Sequence, residues 1–542
     1  MSVKRFILAV AIACMVCGAA SAQMQWDLVI TGGRVVDGTG NPWYVADVAI
    51  KDGRVAAIGP LCSASGSDAR AGSSCAAKAK RVIDAKGLYV APGLIDVHSH
   101  SEGGIQSRGT AENYLFDGVT SLVSGNCGNS ETDLAAAYAK LRAQGISINY
   151  SSLIGHNSVR AAVMGRDQRD PTPEEQTKME ALVEQDMRDG AVGFSTGLLY
   201  IPGTYSKTPE VVGLARAAAR HNGVYATHMR NEEDTVVAAI NEALHIGREA
   251  GSPVQISHFK IANQKMFGFS KETIAMVERA RAEGLDVTVD QYPYTAASTN
   301  LGIVLPSWAL AGGREEMLKR FADAPTRARI IRDAKVQMNT KYGRKRMDHA
   351  VVAGAPWDRT LEGKSISQIN KERGRKNNLD AEFATVIEIL EKGMPGMVYH
   401  LMDERDVEQI LKYPYTMVAA DGGIVEFGRG QPHPRSYGTN ARVLARYVRE
   451  KGTIRLEEAI RKMTSLPAQR FRLSERGVLR PGMWADAVVF DAATVRDAAT
   501  FEKPHAYSEG FAFVLVNGAV VIESGKHTGA RPGQVLLGPG VQ

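Results

Sequence analysis

The chain has 542 residues, of which 44% are hydrophobic and 23% are charged, and its formal net charge is +6. This composition is that of a folded globular protein with more than one minimal domain, and it excludes a largely disordered or fibrous chain. Beyond the N-terminus no run of 18 apolar residues occurs, which argues against a membrane span in the body of the chain.

The first 22 residues have the pattern of a secretory signal peptide. Lys4 and Arg5 give a positive start, an apolar run follows over residues 6–16, and Ala-Ser-Ala offers a cleavage site that ends at residue 22. Removal of this segment lowers the net charge from +6 to +4. We therefore expect an exported protein, periplasmic or secreted, with a short membrane anchor or a lipid-modified cysteine in the same segment as the alternatives.

Three cysteines stay in the mature chain, namely Cys62, Cys75 and Cys127. Export favours disulfides, and Cys62 and Cys75 flank a stretch rich in Ser, Gly and Ala that is typical of a flexible loop. We predict that these two residues pair, and that the bridge stabilises the fold by roughly 3 kcal/mol. Cys127 is then left without a cysteine partner.

Both ends of the mature chain predict short β-strands. Residues 25–59 contain apolar segments separated by Asp-Gly dipeptides, which mark tight turns between strands. The same pattern returns between residues 487 and 522. We expect residues 23–91 and 465–542 to form one small β-sandwich domain.

Eight apolar segments alternate with helical segments in the middle of the chain. They are residues 93–98, 119–124, 146–154, 191–195, 224–228, 253–258, 285–290 and 416–420. Strands that are buried on both faces are nearly continuous apolar runs, so these segments predict an α/β fold, a parallel (β/α)8 barrel over residues 92–464. The last two strands are ~125 residues apart, far beyond an ordinary connection, which predicts an inserted, largely helical lid subdomain at about 300–395.

The first barrel strand ends in the sequence Asp-Val-His-Ser-His, at residues 96–100. Alternate residues of a strand share a face, so Asp96, His98 and His100 point the same way at the carboxyl end of the strand. That end of a barrel holds the active site. Taken alone, the two histidines fit either a metal site or ordinary residues at the barrel mouth.

Three further strand ends strengthen the metal interpretation. His228 and His258 end the fifth and sixth segments, and Asp421 follows the eighth. A closed barrel brings all these ends to one rim, and zinc binds His nitrogen, Asp oxygen and Cys sulfur. The sequence therefore predicts a metal centre whose candidate ligands are His98, His100, His228, His258 and Asp421.

Cys127 lies between glycines in Ser-Gly-Asn-Cys-Gly, residues 124–128, directly after the second strand. A thiolate at this place can serve as a metal ligand that bridges two ions. Two other interpretations stay open, a buried inert thiol and a catalytic nucleophile paired with histidine.

Several of these segments together resemble the amidohydrolase superfamily. They are residues 89–100 (Tyr-Val-Ala-Pro-Gly-Leu-Ile-Asp-Val-His-Ser-His), the two later histidines, Asp421 and residues 479–486 (Leu-Arg-Pro-Gly-Met-Trp-Ala-Asp). The resemblance extends over about residues 25–530. Many members bridge two metals with a carboxylated lysine on the fourth strand, but here residues 191–197 contain no lysine.

The N-acyl-D-amino-acid deacylases (D-aminoacylases) use a cysteine instead, and Gly-Asn-Cys-Gly around Cys127 is similar to their motif. The other matching motifs are Ser-Thr-Gly-Leu at 195–198, Thr-His-Met-Arg at 227–230, Ser-His-Phe-Lys at 257–260, Asp-Gln-Tyr-Pro-Tyr at 290–294 and His-Pro-Arg at 433–435. The chain departs from the family in having Ala-Asp-Gly where Ser-Asp-Gly is common, and in a longer loop over residues 422–431. Both departures bear on substrate preference.

The resemblance implies zinc-dependent hydrolysis of the amide bond of N-acyl-D-amino acids. It implies a tightly bound Zn²⁺ on Cys127, His228 and His258, and a second, weaker position on His98, His100 and Asp421. Asp421 is then the general base and afterwards the general acid. A substrate carboxylate needs cations and hydrogen-bond donors, for which the candidates are Lys260, Arg435, Tyr292 and Ser195.

Two other functions fit the same residues. One is a related hydrolase of cyclic amides (hydantoins or lactams) or of dipeptides that contain a D-residue. The other, of a different class, is a non-catalytic exported metal-binding protein. The expected partner is a small N-acyl amino acid and not a nucleic acid, because the basic cluster at residues 341–346 lacks neighbouring aromatic platforms.

Overall fold

The structure is a computed structural model that describes residues 25–62, 75 and 78–541. The expected signal peptide and the expected flexible loop over residues 63–74 lie outside the described residues. Among the helices of the described ranges, none combines the length and the apolarity that crossing a membrane requires. Cys62 and Cys75, the pair expected from the sequence, are joined in a disulfide with their Cα atoms 5.2 Å apart.

Five strands open the described chain: β1 (Trp26–Val35), β2 (Tyr44–Lys51), β3 (Arg54–Gly59), β4 (Ala79–Asp84) and β5 (Tyr89–Pro92). β1, β2 and β3 form an antiparallel meander. The register of β1 shifts between Ile30 and Gly33, so its first half pairs in parallel with β4 and its second half with β5. β1 therefore connects β2 and β3 on one side with β4 and β5 on the other.

Eight strands follow: β6 (Leu94–Asp96), β7 (Val119–Ser124), β8 (Asn149–Ser152), β9 (Ile154–Gly155), β10 (Gly193–Gly197), β11 (Val224–His228), β12 (Val254–Ile256) and β13 (Val287–Gln291). All pairings among them are parallel. β8 pairs with β7 and β9 pairs with β10, so these two strands are the halves of one bent barrel strand.

An insertion with its own core follows β13. Its strands β14 (Ala297–Asn300), β15 (Ala350–Gly354) and β16 (Gly396–Tyr399) form an antiparallel sheet in the order β14-β16-β15. Its helices are Ser307–Leu310, Gly313–Ala322, Ala324–Lys341, Ile366–Glu372 and Leu379–Lys392. Phe321, Met338 and Phe383 belong to a hydrophobic cluster that is built almost wholly from this segment. The insertion is largely helical, as the sequence predicts, and the small sheet is an addition to it; β14 is a polar, half-buried strand without an apolar run.

The strand β17 (Thr416–Val418) returns to the barrel and pairs with β13. The segment after β17 meets the segment after β6: the Asp421 N–H donates to the His98 carbonyl over 2.8 Å, and the His100 N–H donates to the Gly422 carbonyl over 2.7 Å. These bonds join the first and last strands, so the predicted parallel (β/α)8 barrel is confirmed. β7 and β11 have the bounds of their apolar segments, whereas β6, β12 and β17 are two or three residues shorter than theirs.

The barrel helices lie between and after these strands, and their bounds are Glu102–Ser107, Glu112–Leu115, Leu134–Gln144, His156–Met164, Pro173–Arg188, Thr208–Ala219, Val236–Ala250, Ser270–Ala282, Glu404–Lys412, Arg435–Arg442, Val443–Glu450, Leu456–Met463 and Ser465–Arg470. The buried residues of Val236–Ala250 recur at helical spacing, as expected for a helix that packs one face on a barrel.

The last four strands, β18 (Ala487–Phe490), β19 (Phe511–Val516), β20 (Ala519–Glu523) and β21 (Lys526–His527), complete the first sheet. β18 pairs antiparallel with β5, so both ends of the chain contribute to one β-sandwich, as the sequence predicts. Ile30 and Val90, from N-terminal strands, share a hydrophobic cluster with Val489 and Leu515, which lie in C-terminal strands.

We expect the Cys62→Ser/Cys75→Ser double variant to unfold at a lower temperature than the wild type. The bridge closes a sequence separation of 13 residues, and such a loop is worth about 3 kcal/mol of stability in the chain-entropy model. Thermal unfolding followed by circular dichroism, with and without reductant, measures the difference. Reductant should lower the midpoint of the wild type and leave that of the variant unchanged; equal midpoints for the oxidised proteins contradict the expectation.

Candidate metal centre and active site

The carboxyl ends of the barrel strands line a cavity of about 800 Å³ between the barrel rim and the insertion. Seven of the lining residues carry the chemistry that the sequence predicts for this rim: His100, Cys127, His228, His258, Lys260, Tyr292 and Asp421. The cavity is therefore the place where the fold brings the candidate residues together.

Cys127, His228 and His258 form one compact group of donor atoms. The Cys127 Sγ lies 3.6 Å from the His228 Nδ1 and 3.5 Å from the His258 Nε2. In a tetrahedral zinc site, with a Zn–S bond of about 2.3 Å and a Zn–N bond of about 2.0 Å, sulfur and nitrogen lie about 3.5 Å apart. The donor set and these two separations fit a zinc ion, and donor atoms of His98, Cys127 and His258 also lie within 4.8 Å of one another.

His98, His100 and Asp421 form a second group beside the first. The Asp421 Oδ1 lies 3.4 Å from the His98 Nε2 and 3.1 Å from the His100 Nε2. The His98 Nε2 is also 3.3 Å from the Cys127 Sγ, so the thiol belongs to both groups. The His98 side chain is fully buried whereas 36% of the His100 side chain is exposed, and the second group is therefore the more open one.

Three of these residues have backbone conformations in the left-handed region. The φ angles are 52° at Cys127, 34° at His258 and 49° at Asp421. Such conformations cost on the order of 1–3 kcal/mol each and persist only where the surrounding structure holds them. Each one turns the chain sharply after a strand, which directs its side chain into the shared centre.

The loop that carries Cys127 is held against the neighbouring strands by close backbone approach. A Cβ atom at Gly197 would overlap the Cys127 carbonyl oxygen, so this position needs glycine. Ser195 is fully buried, and its hydroxyl donates to the Gly125 carbonyl over 2.5 Å and accepts from the Gly128 N–H over 3.1 Å. These hydrogen bonds hold the cysteine loop, and Ser195 is not among the cavity-lining residues, so its substrate-binding role stays a prediction.

Two buried carboxylates, those of Asp290 and Asp96, hold the backbone at the ends of the barrel strands. The Asp290 carboxylate accepts from the His258 backbone N–H over 2.7 Å and lies 3.3 Å from the His98 Nδ1. Asp96 accepts the backbone N–H groups of His98 over 2.9 Å and Ala420 over 3.2 Å. Asp96 thus fixes the backbone of two strand ends.

Glu232 is a buried carboxylate that sequence reasoning missed. Its Oε1 lies 2.7 Å from the His258 Nδ1 and 2.6 Å from the Lys260 Nζ, and its Oε2 lies 3.7 Å from the His228 Nε2. His228, Glu232 and His258 would be a third candidate metal group. However, the Lys260 ammonium already lies 2.8 Å from the His258 Nδ1, so a cation occupies this side.

Burial sets the charge of the first group. It raises the pKa of the Cys127 thiol well above its ordinary value and lowers the pKa of His228 and His258 well below theirs. Two neutral imidazoles are ready to bind a cation, and binding displaces the thiol proton. This arrangement favours the ligand interpretation of Cys127 over a thiolate nucleophile activated by histidine.

Asp421 is held in its ionised form. Burial opposes the charge, but the Arg435 guanidinium and then His98 outweigh it and hold the pKa of this carboxyl well below its usual range. The Arg435 Nη1 lies 2.9 Å from the Asp421 Oδ2. Asp421 is therefore a proton acceptor at neutral pH.

Arg435, Lys260 and Tyr292 lie together at one side of the centre. The Arg435 guanidinium carbon lies 4.5 Å from the Tyr292 ring centroid, and the Lys260 Nζ lies 5.8 Å from it. Arg435 is buried beside Asp421 and is not among the cavity-lining residues, whereas Lys260 and Tyr292 line the cavity. His433 accepts the Arg435 backbone N–H over 3.0 Å and so anchors this residue.

Comparison with known proteins defines the class. The sequence profile of the amidohydrolase family matches residues 81–522. The chain therefore belongs to the amidohydrolase family, as the motifs predict.

Two curated relatives come from Alcaligenes xylosoxydans xylosoxydans. A D-aminoacylase is 36% identical over 95% of this chain and 98% of the relative, and an N-acyl-D-glutamate deacylase is 37% identical over 95% and 97%. Among solved structures, N-acyl-D-glutamate deacylase from Bordetella bronchiseptica, complexed with zinc and a phosphonate inhibitor, is 35% identical with a TM-score of 0.79, over 95% of this chain and 100% of that one. Within the amidohydrolases, the chain thus belongs to the N-acyl-D-amino-acid deacylase branch.

We expect the Gly197→Ala variant to lose zinc. The added methyl group would overlap the Cys127 carbonyl and displace the thiol from the two histidines. Zinc content per chain, measured by elemental analysis after equilibrium dialysis, should fall well below that of the wild type. Gly103→Ala is the matched control, because nothing lies within 4 Å of a Cβ atom there; wild-type zinc content in both variants would contradict the expectation.

Proposed function

We propose that this chain is a zinc-dependent N-acyl-D-amino-acid deacylase, which hydrolyses the amide bond to a carboxylic acid and a free D-amino acid. The observation that carries the proposal is the group of Cys127, His228 and His258 beside an ionised Asp421, all at one cavity. The relatives named D-aminoacylase and N-acyl-D-glutamate deacylase support it. A purely metal-binding role would not need a buried, pre-ionised carboxylate next to the donor set.

The residues of the centre have different roles in the proposed hydrolysis. Cys127, His228 and His258 would hold a zinc ion, and zinc lowers the pKa of bound water and polarises a carbonyl group. As the water oxygen bonds to the amide carbon, Asp421 accepts a water proton. The carbon–nitrogen bond then breaks, and Asp421 returns this proton to the departing amine nitrogen, so that one carboxylate acts first as base and then as acid.

Cations beside the centre fit the carboxylate of an N-acyl amino acid. Lys260 lines the cavity and offers an ammonium group, and Tyr292 lies beside it. Arg435 offers a planar guanidinium that matches a carboxylate in two-point geometry, but its Nη1 pairs with Asp421. We infer that Lys260 contacts the substrate carboxylate directly. Arg435 orients Asp421, and its positive charge also attracts the substrate carboxylate from outside the cavity lining.

The charges around the cavity favour a substrate with a neutral side chain. Arg230 pairs with Glu242 and Lys341 pairs with Glu233, whereas Lys260, which pairs with Glu232, is the cation assigned above to the substrate carboxylate. Arg314 donates to the carbonyls of the neighbouring helix end. Among the lysines and arginines that line the cavity within the described ranges, this leaves Arg166, which is exposed and therefore screened by solvent.

We further propose that the enzyme acts after export, in the periplasm or the medium. The signal-peptide pattern of residues 1–22 supports this, and so does a disulfide between Cys62 and Cys75, since such bonds persist in oxidising compartments.

Purified protein that starts at Gln23 should release amine from N-acetyl-D-methionine and not from N-acetyl-L-methionine, and a chelator should abolish the release. The reason is that the metal, the base and the carboxylate contact hold the substrate at three points. Contact at three points distinguishes the D from the L enantiomer. Amine release with a chromogenic reagent measures the rate. If the enzyme hydrolyses hydantoins, lactams or dipeptides but neither methionine derivative, its substrate belongs to one of those classes and the proposed deacylase activity is wrong.

The Asp421→Asn variant should lose activity by at least about 100-fold, since general acid–base groups contribute on the order of 10²–10⁴ to the rate. Its zinc content at the tighter group should stay at the wild-type level, because Asp421 is not one of the Cys127, His228 and His258 donors. Zinc content and kcat measured on one preparation test both points. Unchanged kcat with zinc retained would assign catalysis elsewhere.

N-acetyl-D-methionine should be turned over with a kcat/KM at least about 100-fold above that of N-acetyl-D-glutamate, because a carboxylate without a buried partner costs several kcal/mol to desolvate. Rates for the two substrates on the wild type and on Arg166→Ala give the comparison. The variant should leave the methionine rate unchanged. Equal rates in the wild type, with loss of only the glutamate rate in Arg166→Ala, would show that Arg166 binds an acidic side chain.

A further inference from the structure

Glu232 faces both histidines of the tighter metal group from the side opposite to the thiol. It lies four residues after His228, in the segment that follows β11, and it is buried. Its Oε1 is 2.7 Å from the His258 Nδ1, and its Oε2 is 3.7 Å from the His228 Nε2. One carboxylate thus lies within ion-pair distance of both rings and at hydrogen-bond distance from His258, while the buried His228 Nε2 has no hydrogen-bond partner among the described residues.

The nitrogens that face Glu232 are the ones that do not face the thiol. Cys127 lies against the His228 Nδ1 and the His258 Nε2. A neutral imidazole carries one proton, and it binds a cation through the other nitrogen. If Glu232 accepts from both rings, then His228 is protonated on Nε2, His258 is protonated on Nδ1, and both free nitrogens point to the same place as the sulfur.

Lys260 holds the carboxylate in this position. Its Nζ lies 2.6 Å from the Glu232 Oε1 and 2.8 Å from the His258 Nδ1. A donation from Lys260 to His258 would place the ring proton on Nε2, facing the thiol, and would block that nitrogen as a ligand. The carboxylate oxygen resolves this competition, because it can accept from the ammonium and from the ring at once.

We propose that Glu232 is a positioning residue that fixes the opposite tautomers of His228 and His258 and thereby sets the zinc affinity of the Cys127 group. This proposal rests on the metal-dependent function proposed above. Carboxylates that accept from the non-ligating nitrogen of metal-bound histidines raise affinity, and their loss typically costs 10- to 100-fold. Here one residue would perform this role for two ligands and join them to Lys260 of the substrate cavity.

The Glu232→Gln variant tests the dual contact. A glutamine has one acceptor oxygen and one amide donor, so it can accept from one ring but not from both. Zinc affinity, measured on metal-free protein by competition with a chromogenic chelator, should weaken by about 10- to 100-fold. Glu242→Gln is the matched control, since Glu242 is a partly buried carboxylate that pairs with Arg230 and contacts neither histidine; its zinc affinity should equal that of the wild type.

Two further measurements separate positioning from folding and from activity. The thermal midpoint of the metal-free variant should match that of metal-free wild type, and Glu232→Asp provides a charge-retaining, shorter second variant with an intermediate affinity. Nitrogen-15 NMR of histidine-labelled, zinc-loaded wild type should show one ligand ring protonated on Nε2 and one on Nδ1. Wild-type zinc affinity in Glu232→Gln, or identical tautomers for His228 and His258, would overturn the proposal.

These readouts need no substrate. If no N-acyl amino acid is hydrolysed but zinc affinity falls in Glu232→Gln, the positioning role stands and the proposed reaction fails. If hydrolysis is observed and zinc affinity does not change, the reaction stands and the positioning role fails.

Discussion

Two backbone hydrogen bonds between the first and last barrel strands hold the centre together. The Asp421 N–H donates to the His98 carbonyl and the His100 N–H donates to the Gly422 carbonyl, so Asp421 is placed between the two histidines by the closure of the barrel itself. Residues more than 300 positions apart in the chain thus meet through the main chain, and the Asp421 carboxylate owes its place to the fold and not to a local motif.

The barrel and most of its centre could be predicted because their signals are local. Long apolar runs indicate buried parallel strands, and a histidine directly after such a run indicates the rim. Glu232 and Ser195 show where this reasoning stops. A carboxylate in a loop is ordinarily solvated, so nothing local marked Glu232 as buried between two rings. Ser195 lies on a strand end like the ligands, but its hydroxyl is used by the cysteine loop, a contact with residues 70 positions away.

The insertion after β13 is a folded unit that also forms a wall of the cavity. Leu305, Met317 and Tyr399 line the cavity and belong to the core of the insertion. Polar residues of the insertion, among them Asn300, Gln337 and Lys341, line the cavity as well. The barrel rim and the insertion therefore both contribute surface to the cavity.

The pairing of β5 with β18 has a consequence for the order of assembly. β5 is followed after one residue by β6, the strand that leads to His98, and its partner β18 begins at Ala487. The β-domain cannot complete its sheet until nearly the whole chain is present, and contacts of such long sequence separation form slowly. A chain that is still being synthesised would have no finished support for the strand that leads to His98, so this part of the barrel rim is completed only after the last strands are in place.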